Sequence, residues 1–240
     1  ATNSAGTFYG VQQYFMTLAS SRDYVENGKN LGRSIPIKGN WDCKDDTPDT
    51  YLHWAPVNCG YEETGTPNTD SDHRLGLLYQ WGYGDPSLAY YPKAAALYYD
   101  DPTPEQWYSS LEGTKKDKWN NGRGPCPEGW RLPTDVELYS LLGGWSWVSD
   151  QTYARNGRYT GLEFTKAKGV FFPAAGLVRE DGLHLYRNSF ADYWTATVHY
   201  FVGAGEDSNS AYAFIAKITT FDVKGYNRAA AYSVRCVAEH

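Results

Sequence analysis

The hydrophobic positions of this chain fall in short runs, broken every few residues by Gly, Pro, Asn, Asp, Ser or Thr. Beyond residue 165 the runs take strand form. GVFFPAAG (169–176) is a short apolar stretch closed by Pro173, and DYWTATVHYF (192–201) is strand-like. AYAFIAKITTF (211–221) alternates, with Tyr212, Phe214, Ala216 and Ile218 on one face and Ala211, Ala213, Ile215 and Lys217 on the other. That is the two-residue period of a half-buried strand. YSVRCVAEH closes the chain as a last short strand.

Two helices are predicted from their starts. In DPTPEQWYSSLEG, Thr103 caps, Pro104 takes the first helical position, Gln106 completes a capping box and Gly113 ends the run. Thr134 and Glu137 form the same box in RLPTDVELYSLLGG, where Val136, Leu141 and Leu142 face the core and Gly143 supplies the stop. TFYGVQQYFMTLAS places Phe8, Val11, Phe15 and Leu18 at helical spacing, while its Tyr, Phe and Thr suit a strand. Residues 36–74 read as an irregular excursion rich in turn residues, and Cys43 and Cys59 within it predict a disulfide-closed loop. Helices first and a strand-rich second half give an α+β class, in one domain spanning 1–240.

Composition narrows the function. Aromatic residues make up 16% of the chain, with 21 Tyr and 9 Trp, and 24 Gly with 12 Pro call for many turns. The net charge is −6 and no window is rich in Lys or Arg, so a nucleic-acid partner is excluded on electrostatic grounds. No run approaches the roughly 18 apolar residues of a membrane span. The first residues, ATNSAGTFYG, carry neither a basic start nor an apolar signal core, as at a mature end left after export or at an expression boundary. Four cysteines, Cys43, Cys59, Cys126 and Cys236, in an acidic Tyr- and Gly-rich chain favour an oxidising, extracellular or cell-surface setting and two disulfides. None stands at metal-ligand spacing.

Five phrases occur in one order: LGLLYQWG (75–82), GPCPEGWRLPTDVEL (124–138), GVFFPAAG (169–176), DYWTAT (192–197) and YSVRCV (232–237). Together they resemble the Fibrobacter succinogenes major paralogous domain of bacterial surface proteins, itself similar to the C-type lectin-like fold of formylglycine-generating enzymes. The resemblance spans residues 75–237 and leaves 1–74 unrecognised. It implies two helices flanking a small twisted, mostly antiparallel sheet, with long loops over one face and the terminal strands together. It also implies a Cys126–Cys236 bridge, and Trp130 and Leu132 in the core.

The chemistry of the related enzymes is not carried by these residues. Their copper-binding cysteines have no counterpart between 126 and 236, and their Gly-Asn-Val-Trp-Glu-Trp phrase is absent. His53, His73, His184, His199 and His240 are scattered without a hydrolase or zinc motif. Carboxylates in YYDDPTPE and REDGLH read first as turns and helix starts. Calcium-lectin phrases are missing, and KWNNG (118–122) only approximates one. Asn68, Asp70 and Asp72 begin like a calcium loop, but His73 and Tyr79 stand where Gly and Glu are needed. No enzyme activity, cofactor or metal is expected.

What remains is binding. Residues 188–232 are dense in Tyr, Phe, Asn, Ser, Thr, Ala and Gly, the palette of a paratope. The candidate contacts are His199, Tyr200, Phe201, Asn209, Phe221, Asp222, Tyr226 and Asn227, with Trp194, Phe214 and Tyr232 assigned to the core. The resemblance implies an adhesin or receptor-like protein recognising a protein or glycan on another cell. It also admits a variable protein of a diversity-generating retroelement, with SVRCV as invariant frame; Glu206, Lys217 and Lys224 lie outside the palette such mutation produces. A structural or tip subunit of a surface assembly is the alternative.

Overall fold

The structure, a computed structural model, describes residues 22–41, 50–82, 96–102, 119, 123–141, 144–153, 157–201 and 205–239. It is nearly all β. The described residues open with a hairpin of β1 (Asp23–Glu26) and β2 (Lys29–Arg33). Its two-residue turn, Asn27-Gly28, holds both residues at positive φ (50° and 75°), the backbone twist that fits the flanking strands. A four-stranded sheet runs in the order β3 (Ile35–Gly39), β4 (Thr50–Trp54), β17 (Val237–Ala238), β7 (Trp130–Arg131). The last strand therefore pairs with an early one, Val237 opposite Trp54.

A five-stranded sheet has the order β12 (His184–Leu185), β11 (Leu177–Val178), β16 (Ala231–Tyr232), β5 (Leu78–Gln80), β6 (Ala96–Leu97). Two three-stranded sheets complete the fold. One is β8 (Trp145–Tyr153), β9 (Gly157–Phe164) and β10 (Phe171–Pro173), and the other is β13 (Ala191–Phe201), β14 (Gly205–Ala216) and β15 (Phe221–Asn227). Pro173 ends an edge strand, where its missing N–H breaks no ladder. Among the described residues no helix is long and apolar enough to cross a membrane.

The expected α+β class, with two helices flanking a sheet, is corrected. The described helix, α1 (Asp135–Tyr139), is five residues long, and His73–Leu75 is a single 3-10 turn. The predicted helix over 103–113 and the run 7–20 lie outside the described residues. The capping box of α1 is present: Thr134 Oγ1 accepts from Glu137 N at 3.1 Å, and Glu137 Oε2 from Thr134 N at 2.7 Å. A box starts a helix without setting its length. Here the first turn already buries Leu138, and the chain turns on itself through Leu141 N to Leu138 O. Tyr139 leaves the axis to donate to Val223 O at 2.7 Å. Ile218 also departs from the alternation: β14 ends at Ala216, Lys217 N closes a turn onto Thr220 O, and Ile218 is 67% exposed.

Two aromatic clusters fill the interior. In one, the Phe172 ring meets Trp54, Phe164, Tyr193 and Phe214 at centroid distances of 5.1–5.6 Å. In the other, Trp194 stacks on Tyr232 at 4.4 Å and donates its indole N–H to Tyr79 O. Trp130, Leu132, Trp194, Phe214 and Tyr232 are all buried. Cys126 and Cys236 are bonded across 110 residues, with Cα atoms 5.9 Å apart. Closing so long a loop contributes about 4–5 kcal/mol in the chain-entropy model. Cys59 is a buried free thiol. The expected Cys43–Cys59 bridge is therefore corrected; Cys43 itself lies outside the described residues.

The Trp-Arg-Leu-Pro-Thr phrase is a docking device. Arg131 grips Glu137 with both terminal nitrogens, at 2.8 and 2.6 Å, so the carboxylate that caps α1 also neutralises a half-buried guanidinium. Thr197 Oγ1 accepts from Asp135 N and donates to Asp135 Oδ1, and Ala196 N bonds Pro133 O, which fixes the phrase to β13. Glu137→Ala removes the box and strands Arg131, and is expected to destabilise the fold by roughly 2–4 kcal/mol, measured by denaturant unfolding. Thr134→Ala, which removes one cap bond, is expected to cost about 1 kcal/mol.

Candidate ligand-binding surface

Register decides which side chains share a face. Across the outer sheet, Asp192 pairs with Ile215 and Ile215 with Asp222; Trp194 with Ala213 and Ala213 with Lys224; Val198 with Ala211 and Ala211 with Tyr226. Alternation therefore puts Asp222, Lys224 and Tyr226 on one face with Asp192 and Trp194. His199 is on the other. Its ring lies 4.9 Å from Tyr212 and covers Gly225, where an added Cβ would come within 2.4 Å of it. Phe221 also faces inward, 5.4 Å from Phe164 and 5.6 Å from Phe214. Asn227 is exposed, and its Oδ1 accepts from Ala229 N in the turn before β16. Tyr200 and Phe201 pair through their backbones with Glu206 and Gly205, and Asn209 lies in β14; their side chains are outside the described ones. The eight candidates are thus not brought together on one surface.

The face carrying Asp222 and Tyr226 continues into an aromatic corner. Lys224 pairs with Asp222 at 2.5 Å and lies 5.6 Å from the Tyr226 ring, which meets Tyr232 edge-on. At the end of the sheet the Lys217 ammonium sits 4.5 Å over Phe190, and Phe190 stacks on Tyr186 at 4.2 Å. Tyr186 is 48% exposed and adopts φ 63°, in the left-handed region. That conformation costs a Cβ-bearing residue about 1–2 kcal/mol and suits Asn far better than Tyr. It persists because Ser189 N and Phe190 N both donate to Tyr186 O, while Asn188 N bonds Ala174 O and Gly176 N bonds Phe190 O. Of the five large hydrophobic side chains exposed among the described residues, Leu183 lies in the turn between β11 and β12, Tyr186 in the turn after β12 and Ile218 in the turn after β14.

Two buried ionisable side chains close to the stack in sequence, Arg187 and Asp192, have unmet hydrogen-bonding groups. Arg187 is 5% exposed at its side chain, and its Nε and Nη2 have no hydrogen-bond partner. It lies 5.3 Å from the Tyr99 ring centroid and 3.6 Å from Asp70, and burial lowers its pKa. Asp192 is 1% exposed, and neither of its oxygens accepts a hydrogen bond. Burial pushes its carboxyl well above the usual carboxylate range, and Lys217 offsets this only in part.

Other sequence candidates have structural partners. In Asn68–Arg74, Asp72 is nearly inaccessible: Oδ2 accepts from Asn68 N at 2.6 Å and the Tyr159 hydroxyl at 2.5 Å, and Oδ1 from Arg74 N and Nη1. Burial alone would raise its pKa; these donors together hold it below the ordinary value. Both oxygens are thus committed to donors from the loop and from β9. Among the described residues no group of three or more His, Cys, Asp or Glu side chains is placed to hold a metal. His53 bonds Ser34, His73 stacks on Tyr98 and bonds Asp100, and His184 bonds Tyr99 O. The Cys59 thiol is pushed well up by burial and by Glu26, which keeps it protonated and a poor nucleophile.

No family model matches the chain, and neither the curated proteins nor the solved structures hold a match to it.

Asp192 generates a pH prediction. Its folded pKa lies above the unfolded value, so the folded state keeps a proton that the unfolded chain has released. Its effect on stability is fully favourable below the ordinary carboxylate range and is lost as pH rises towards the folded pKa. Asp192→Asn removes that dependence. It is expected to be more stable than the parent at pH 7, by about 1–3 kcal/mol, with the gap closing towards pH 4, as read from melting temperatures across that range.

Proposed function

We propose that this protein is a metal-independent binding module, adhesin- or receptor-like, that holds a glycan or polypeptide ligand on the corner formed by Tyr186, Phe190, Lys217 and the edge strand β15. The observation that carries this reading is Tyr186: an exposed aromatic ring kept in an unfavourable backbone conformation and stacked on a second ring. Backbone strain retained at the surface is a mark of functional sites. Rigid aromatic rings offer contact area at little entropic cost, and the Asp222–Lys224 pair beside Tyr226 adds directional polar contacts. The surface requires no cation, since its described charges are supplied by Lys217, Lys224 and Asp222.

The full chain, screened on a glycan array and against displayed peptides with and without EDTA, tests this. Binding is expected to survive chelation. Tyr186→Asn is expected to leave stability equal or higher, since Asn tolerates the left-handed backbone, and to weaken binding at least about tenfold, the loss of one central aromatic contact. Binding that needs calcium, or that ignores Tyr186→Asn and Tyr226→Ala alike, would exclude this surface.

A further inference from the structure

Away from that corner, we infer that the cleft between β2 and residues 57–63 is a second binding site, for a free α-amino acid with an apolar side chain. The cleft encloses about 270 Å³ and is lined by Lys29, Asn30, Leu31, Val57, Tyr61, Glu62 and Glu63. This is just below the usual range for drug-sized ligands, a size for a small molecule. Its two walls have opposite character. β2 supplies one ammonium, Lys29, and one amide, Asn30; the facing segment supplies two carboxylates, Glu62 and Glu63. The floor is apolar: Val57 and Tyr61 are buried, and Leu31 packs against the core beside them.

The walls are held apart and in place. Glu26, at the end of β1, accepts from Gly60 N at 2.8 Å, from the Cys59 thiol and from the Tyr24 hydroxyl, which pins the hairpin to the facing segment. Tyr24 packs edge-on against Trp130 at 4.9 Å, so the hairpin is tied to the core as well. Within the walls, Asn30 Oδ1 accepts from Gly32 N and leaves the amide N–H groups available, and the Tyr61 hydroxyl bonds Glu63 Oε1. Among the described residues no ion pair joins Lys29 to either glutamate. Opposite charges that face each other across a cavity without closing on one another fit a molecule carrying both signs. A ligand ammonium would meet Glu62 and Glu63, its carboxylate Lys29 and the Asn30 amide, and its side chain the Leu31–Val57–Tyr61 floor. A purely cationic or purely anionic ligand satisfies only one wall.

Isothermal titration of the full chain with L-leucine, leucinamide and N-acetyl-leucine separates these cases. Leucine is expected to bind about fivefold or more tighter than either blocked form, one part-exposed charge pair being worth about 1 kcal/mol. Lys29→Gln is expected to abolish the preference over leucinamide, and the double substitution Glu62→Gln/Glu63→Gln the preference over N-acetyl-leucine. Both leave the Glu26 anchor intact, and unchanged melting temperatures show that the fold is retained. Absence of leucine binding up to about 10 mM, equal affinity for a blocked form, or variants that keep the parent's preferences would each overturn the assignment. Tyr186→Asn is expected to leave leucine affinity unchanged, so failure of the outer surface and failure of this cleft are read separately.

Discussion

The fold is organised around one buried cation. Arg235 stands between Val234 and Cys236 near the end of the chain and is 1% exposed. Burying a guanidinium costs several kcal/mol unless its donors are met. Nε donates to Asn58 Oδ1 at 3.0 Å, Nη1 to Ala55 O at 2.9 Å and Nη2 to Phe171 O at 2.7 Å, while the rings of Tyr153 and Phe172 face it at 5.4 Å. These acceptors come from the segment after β4 and from β10. The charge is thus compensated by oriented carbonyls, an amide and ring faces, and each is available only when its own element is in place.

Asn58 extends this dependence. Its side-chain amide donates to Leu75 O and bonds the Tyr193 hydroxyl, its backbone N–H donates to the Tyr153 hydroxyl oxygen, and Tyr193 also donates to Pro173 O. One network therefore joins the end of the 3-10 turn, β8, β10, β13 and the C-terminal segment, with no polar atom of Asn58 or Arg235 left unmet. Such a network is nearly all-or-none: removing one member leaves several others buried and unpaired. The disulfide at Cys236 reinforces the same point, since it anchors the residue adjacent to Arg235. Sheets this short are weak alone, and a shared polar core is a physical reason for them to adopt one arrangement.

The sequence made local devices legible and left long-range ones hidden. The Thr134–Glu137 box was readable because both partners lie within one turn. The Asn27-Gly28 hairpin carried an equally local signal that the hydrophobic pattern alone passed over. The β8–β9 pairing was harder, since an irregularity between Val148 and Gln151 breaks the two-residue period. Helix content was overstated because a capping box marks a beginning and the buried face of α1 is satisfied within one turn. Nothing local marks Arg235 as the centre, because its partners lie 64 to 180 residues away. For the candidate contacts, composition grouped residues that the strand register then separates onto two faces. Register irregularities in β13, between Trp194 and Val198 and between Val198 and Tyr200, leave His199 packed on Gly225 while Tyr226 points the other way.

The contrast between the centre and the corner bears on function. Asn58, Asp72 and Arg235 show that this chain can bury polar groups with their hydrogen bonds met. Within seven residues, from Tyr186 to Asp192, the same chain keeps a left-handed tyrosine, a guanidinium with two nitrogens that make no hydrogen bond, one of them 3.6 Å from Asp70, and a carboxyl without a donor. Each is unfavourable by itself, and a small change removes each: Asn suits the backbone of 186, and an uncharged residue suits 192. Packing does not require them together, since Phe190 is held by its own backbone bonds to Tyr186 and Gly176. Backbone strain and unmet hydrogen bonds gathered in one short segment, beside the exposed ring of Tyr186, mark where local rules give way in this fold.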